Sequence, residues 1–556
     1  MKFSRRDLLI GTAGITAGIA FTPVPWKLLG DASIWTQNWP WIPQPSHGPV
    51  ETKLSACALC VAGCGMRVRM AAGFPVGVSG VTTNPVTQGA LCPLGFAAHQ
   101  LNWHPARLLT VRHNGRASSW PEAQAAFAKT CAEGPVAVID GRPGRAASAT
   151  LEAFAAKHNG SYQAVSGPET NALVPYAAWS EVPVSALGYD LENARTIVSF
   201  GAPLLDGWGT PGRFTRLWSE RAAGQINPQL RLIQIEPSLS HTAARAWRWV
   251  AVREGTQSAL AAALARVLVE EHLVKTQGPL PDMTLEQAAV QAGIPITAIR
   301  DLAHAMVECA PTVVITSDSD PTVSALNVLL GAIGTPGGIV LKTKMNQQHG
   351  SVPAAPATVR ATVIDGTVPW DLIPPTQGEV FRFAAWDGGG SNADWLLPSP
   401  GFLEELTDIP TAPTSSIETY TIATNLLAQP QETQTAAQFF SKLDGTLPDV
   451  DKSIHARCEQ IFQAKLGTIY AGKPTPVAQF TSGAKLEAQL RNGSVWLGES
   501  PRHTTLRCAL KTWPTAAAPA PVTDWTATWA PPVLPLLAAK LYQESTLRDA
   551  PGRSQA

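Results

Sequence analysis

Cys57, Cys60, Cys64 and Cys92 stand in the spacing C-x2-C-x3-C-x27-C. Three thiols within so short a stretch, with Gly63 and Gly65 flanking the third, suit a tight loop wrapped around a compact cofactor. A fourth ligand arriving from a separate loop closes a cubane. Soft sulfur donors narrow the candidates to an iron–sulfur cluster or zinc. Structural zinc sites usually present two C-x2-C knuckles, and the second is missing here. Disulfides are the other alternative in an exported chain, although a bridge from Cys57 to Cys60 would be strained. A c-type haem is excluded because Val61, not histidine, follows Cys60. A [4Fe–4S] cluster on these four cysteines is the leading reading, with zinc and disulfides left open. Gly63, Gly65 and Gly95 allow backbone N–H groups to approach the sulfurs, or simply turn the chain. His99 and His104 follow the fourth cysteine and read as ordinary surface or core histidines. Cys131, Cys309, Cys458 and Cys508 are isolated and read as small buried hydrophobes.

The elements that must position these thiols can be read along the 556 residues, a length that suggests three to four domains and a core large enough to stand without disulfides. The 42 basic residues cancel 42 acidic ones, which argues against a nucleic-acid binder or a basic membrane-surface protein. Eighteen Trp and 45% apolar residues exclude a disordered chain, and only 15% of residues are charged, which fits a surface partly covered by other subunits. Residues 1–21 read as an export signal: Ser4-Arg5-Arg6 precede an apolar stretch from Leu8 to Phe21 that is too short to cross a bilayer. The arginine pair points to the twin-arginine route, which carries folded proteins to the periplasm. No later stretch is long and apolar enough to span a membrane. Residues 22–51 form a Trp/Pro-rich arm, and 52–112 hold the four-cysteine domain. Buried strands are predicted at Val136–Gly141, Thr196–Gly201, Leu232–Pro237 and Thr312–Thr316, with a helix over 258–273 whose stripe is Leu260, Leu264, Val267 and Leu268. Strands alternating with helices imply parallel sheets and an α/β architecture. A first α/β domain is assigned to 113–160 plus 340–510 and a second to 161–339. Residues 511–556 are a Pro-rich extension with a short helical end at Leu534–Leu547. The Gly334–Gly338 stretch lacks dinucleotide-fingerprint spacing and reads as a turn.

A twin-arginine signal, then this cysteine spacing, then α/β alternation resembles the molybdopterin oxidoreductases of the dimethyl sulfoxide reductase superfamily. Tyr189–Ala194 leading into Phe200-Gly201-Ala202 resembles the family's strand and loop that approach the pterin. Ile235-Glu236-Pro237 through Thr242-Ala243 resembles the second nucleotide-side strand. Arg253-Glu254-Gly255-Thr256-Gln257 stands where the family usually has R-P-G-T-D, and Leu326-Asn327 with Gly331 and Gly334–Gly338 resembles the Asn-rich helix and its turn. The resemblance implies a multi-domain fold with an N-terminal [4Fe–4S] domain followed by parallel-sheet α/β domains.

The chain departs from that pattern at several places. Leu94 occupies the position, two after the last cluster cysteine, where the family commonly places a Lys or Arg between cluster and pterin. Gln257 replaces the guanine-binding Asp. The region just before Tyr189, where the family's metal ligand would fall, contains no Cys, and only Glu169, Ser180 and Glu181 could serve there. Too few residues follow Glu499 for the family's C-terminal β-barrel domain, which is expected to be truncated or absent. Such a set is similar to the molybdopterin-like iron–sulfur subunits of alternative complex III and of the periplasmic menaquinone reductase complex. That resemblance implies an electron-transfer subunit of an exported, quinone-linked membrane complex, without catalysis at a molybdenum centre of its own. The partners it implies are an integral quinone-binding subunit, a ferredoxin-like multi-cluster subunit and a multihaem cytochrome c. Two alternatives stay open: a working oxidoreductase with bis-molybdopterin guanine dinucleotide acting on a small oxyanion or formate-like substrate, and a structural subunit with a non-redox cluster.

Overall fold

The computed structural model describes residues 4–21, 48–104, 106–165, 167–275, 278–317, 319–342, 358–366, 376–386, 393–412 and 414–501, with 508, 510 and 512–514. Most of the Trp-rich arm (22–47) and the helical end expected at Leu534–Leu547 lie outside the described residues. The chain divides into two compact units, Met1–Glu51 with Met70–Val76, and Thr52–Arg69 with Gly77–Ala556. In the first, the segment read above as an export signal contains a helix, Arg5–Phe21. It starts at Ser4, whose hydroxyl accepts from the Asp7 N–H at 3.2 Å while the Ser4 N–H donates to the Asp7 carboxylate at 3.0 Å. Among the described residues no helix is long and apolar enough to cross a membrane.

The second unit is α/β, with parallel sheets. One sheet has four parallel strands in the order Arg248–Ala251, Arg231–Glu236, Thr196–Phe200, Thr312–Thr316. Every residue of Thr196–Phe200 and Thr312–Thr316 is buried, and strands covered on both faces read as the unbroken apolar runs seen in the sequence. Helix Gln257–Glu270 packs Leu260, Leu264, Val267 and Leu268 into that core. It stops three residues short of the expected end because His272 takes a positive φ of 54°, which an α-helix cannot accommodate. Asn327 ties helix Pro321–Leu329 to its strand, accepting from the Val314 N–H at 2.8 Å and donating to the Val314 carbonyl at 2.7 Å. The Gly334–Gly338 stretch is a turn, with positive φ at Gly334 and Gly337, leading into Ile339–Leu341, which pairs with Leu187–Tyr189.

A seven-stranded sheet is discontinuous in sequence. Its order is Arg116–Ala117, Arg112–His113, Trp395–Pro398, Glu379–Ala384, Ala361–Asp365, Val136–Asp140, Ser161–Ala164, and the last five are parallel. An aromatic core holds it to its helices: Phe127 meets Phe381 edge-on at 5.0 Å, and Phe154 stacks on Phe440 at 3.8 Å. From Thr407 onward the strands leave this sheet. Thr407–Pro410, Thr419–Ala423, Val495–Leu497, Thr468–Ala471 and Lys473–Pro476 make an antiparallel sheet of their own. Pro474 and Pro476 sit on its outermost strand, where a missing N–H is tolerated. Cys458 lies in the core beneath this sheet, fully buried as expected. Cys131, Cys309 and Cys508 are only half-buried, a correction to their reading as core residues.

Candidate iron–sulfur site

Strand Val50–Ala56 delivers Cys57 and strand Gly65–Ala71 leaves just after Cys64. The Cys57 N–H donates to the Cys64 carbonyl at 2.8 Å, closing the loop that holds the first three thiols. Gly63 turns that loop at φ 58°, and a Cβ there would meet Thr421 Oγ1 at 3.0 Å and Ile409 Cγ2 at 3.1 Å. The loop is therefore seated directly on the antiparallel sheet, with Ala56 and Ala58 packed against Ile409 and Ala423. Cys92 comes from a second loop and caps the short helix Pro93–Ala97, its sulfur accepting from the Gly95 N–H at 3.4 Å. Cys60 accepts from the Ala62 N–H at 3.4 Å. Of the three glycines expected near sulfur, Gly95 makes such a bond. Gly63 and Gly65 serve close packing instead, Gly65 against Asn84.

Cys57 and Cys64 are buried, and Cys60 and Cys92 are half-buried. Burial pushes all four thiols up, Cys60 to about 12, because an ionised sulfur is costly away from water. Cys64 also feels Cys60, Cys57 and Cys92, and Cys57 feels Cys60 and Cys92, so the four sulfurs share one electrostatic neighbourhood. Their mutual repulsion is what a cationic iron core would relieve. All eight cysteines are free thiols. Four mutually repelling thiols, two buried and two half-buried, with two N–H donors to sulfur fit a [4Fe–4S] cluster.

Groups that the sequence left unmarked also converge here. Arg145, buried just before helix Ala146–Lys157, donates from Nη2 to the Ala58 carbonyl at 2.8 Å. Helix Pro211–Arg221 directs its first turn at the loop: a Cβ on Gly212 would stand 3.1 Å from Cys64 Sγ. The Pro211-Gly212 pair is a helix-start signal that could have marked this element. Glu169 is 7% exposed, its Oε2 has no hydrogen-bond partner, and burial raises its carboxyl to about 7; it also bears on Cys60. Ser180 and Glu181 are not brought to the thiols: Ser180 bonds back to the Tyr176 carbonyl, and Glu181 is exposed. His99 lies 3.1 Å from the Phe96 carbonyl within its own turn, and His104 accepts from the Ala106 N–H. Leu94 lies within the helix that follows Cys92, and Gln257 opens helix Gln257–Glu270.

Residues 50–102 match the Molybdopterin oxidoreductase Fe4S4 domain. Over most of its length the chain is similar to the menaquinone reductase, molybdopterin-binding-like subunit of Nitratidesulfovibrio vulgaris, with 28% identity across 88% of this chain and 79% of that protein. A nitrate reductase of Klebsiella oxytoca is 26% identical across 51% of this chain, which spans only 36% of that enzyme. Acetylene hydratase from Pelobacter acetylenicus shares the fold, with a TM-score of 0.55 at 12% identity over 81% of this chain and 74% of that one. Residues 50–102 thus carry the iron–sulfur domain of the molybdopterin oxidoreductases, and most of the chain is similar to proteins of that superfamily.

Proposed function

We propose that the chain is the iron–sulfur electron-transfer subunit of an exported, quinone-linked oxidoreductase complex, and that it works without a molybdenum cofactor of its own. The observation that carries this reading is the convergence of Cys57, Cys60, Cys64 and Cys92 in a buried, hydrogen-bonded pocket. A cluster held there supplies one-electron storage. Cys57 and Cys64 keep the pocket dry, while Ala62 and Gly95 direct N–H dipoles at sulfur and stabilise the more negative state. The half-buried Cys60 and Cys92 are the side from which a partner's electron would arrive. Similarity to a menaquinone reductase subunit supports the quinone link. The partners proposed for it are those the sequence resemblance implies: an integral quinone-binding subunit, a ferredoxin-like multi-cluster subunit and a multihaem cytochrome c. The Arg5-Arg6 pair opening an apolar helix supports periplasmic export.

The surroundings of Tyr189 and the end of the seven-stranded sheet support the absence of a pterin dinucleotide. Arg213, 2% exposed, is consumed by an ion pair with Glu192 and a bond to the Tyr189 carbonyl at 3.1 Å. Arg142 is shared between Asp365 at 3.2 Å and Glu405 at 2.7 Å. Neither guanidinium offers its charge to a pyrophosphate, and these residues do not fit the group. Iron and acid-labile sulfide analysis of anaerobically purified protein, with mass spectrometry for released pterin, tests the reading. We expect about four irons and no pterin. One zinc without iron, or stoichiometric pterin, overturns it.

A further inference from the structure

Arg145 is a positive charge with no ion pair among the described residues. The two carboxylates whose charge reaches it are each engaged by another arginine: Glu405 by Arg142 at 2.7 Å, and Asp408 by Arg457 at 2.5 Å. Arg145 itself is 5% exposed, spends Nη2 on the Ala58 carbonyl, and leaves Nη1 buried without a hydrogen-bond partner. An unpaired guanidinium in a dry interior is costly and persists where something else neutralises it. The carbonyl it grips lies between Cys57 and Cys60, and its charge bears on both thiols. Its backbone is fixed from both sides. Gly144 enters at φ 83°, the Ala146 N–H donates to Asp408 at 2.6 Å, and Arg457 donates to the Arg145 carbonyl at 3.2 Å. On the Cys92 side, Leu94 supplies no cation.

We propose that Arg145 is the electrostatic counter-ion of the four-thiolate cluster and a positioning residue for its loop, raising the reduction potential by stabilising the reduced state. The inference rests on the cluster assignment above. A cluster bound by four thiolates becomes more negative on gaining an electron, so a fixed cation in a low-dielectric wall favours reduction. Gripping the Ala58 carbonyl also restrains the loop that carries two of the ligands.

The test is a reduction potential, measured by electron paramagnetic resonance during redox titration of the full chain carrying Arg145→Gln or Arg145→Lys. Arg145→Gln is expected to disfavour reduction by about tenfold, a fall of about 59 mV for one electron. Arg145→Lys, which keeps the charge, is expected to stay within about threefold of wild type, a smaller shift on the same scale. If Arg145→Gln binds no cluster while Arg145→Lys binds a full one, the charge requirement is upheld by iron content instead. An unchanged potential in Arg145→Gln, an equal fall in both variants, or failure of both to bind iron overturns the proposal. A wild-type chain without iron sinks the cluster assignment itself, and is told apart from all of these by its own iron analysis.

Discussion

At the residue scale, the four cysteines are not interchangeable in burial, but each closes the same shell. Replacing Cys92 by Ser removes the ligand from the second loop and leaves the Gly95 N–H without its sulfur acceptor. We expect most of the iron to be lost and the reduced-state paramagnetic resonance signal to disappear or change type, while circular dichroism stays native. Glu169 makes a prediction of opposite character. Its carboxyl is raised from 4.5 to about 7 because it is buried with an unpartnered oxygen. The folded chain therefore holds this proton more tightly than the unfolded chain. Its contribution to stability is complete below about pH 4.5 and is lost as pH rises through about 7. With the cluster removed by chelation, Glu169→Gln should match wild type near pH 4 and exceed it at pH 8 by on the order of 3 kcal/mol. Denaturant midpoints across that range would check it, and parallel curves for the two proteins would refute it.

At the element scale, the close approach of helix Pro211–Arg221 to the cysteine loop depends on a missing side chain. A Cβ on Gly212 would lie 3.1 Å from Cys64 Sγ and 3.2 Å from the Ala90 carbonyl. Gly212→Val should cost about 1–3 kcal/mol through overpacking and lower iron occupancy. Gly445→Ala, where nothing lies within 4 Å, should change neither thermal midpoint nor iron content. This dependence shows what the sequence could and could not reveal. The spacing of the four cysteines was legible because ligand chemistry fixes it locally. The strands at 136, 196, 232 and 312 were legible because burial on both faces makes them predominantly apolar, with Ile, Val and Leu outnumbering polar exceptions such as Ser199 and Gln234. The antiparallel sheet from Thr407 was not: its strands are short, and buried polar residues such as Asp408 and Thr421 break any apolar run. Arg145 was invisible for another reason. A lone Arg in a loop carries no periodic signal, and its meaning lies in what the fold brings to it from afar.

At the scale of the whole molecule, the cofactor loop and the antiparallel sheet stabilise each other. Ala56, Ile409 and Ala423 form one apolar contact set, and Ser55 Oγ donates to the Thr424 carbonyl at 3.3 Å. Removing iron should therefore do more than loosen the loop, because four thiols whose burial disfavours ionisation would have to stay protonated beside one another. We expect the stripped protein to melt several degrees lower. Limited proteolysis should open both the 57–64 loop and the 409–421 segment, and protection of the second segment in the stripped protein would count against this coupling. The same thiols set the alkaline limit. Because burial raises them, the unfolded chain ionises first, so stability of the stripped protein falls as pH climbs above about 8.5.

Ser55 and Thr424 are 369 positions apart, yet they share a hydrogen bond beside the first ligand. A ribosome releases the ligand loop long before it has made the floor on which that loop rests. Metal loading must then wait until the antiparallel sheet has been made. It follows that the maturation machinery meets a polypeptide already extended as far as that sheet.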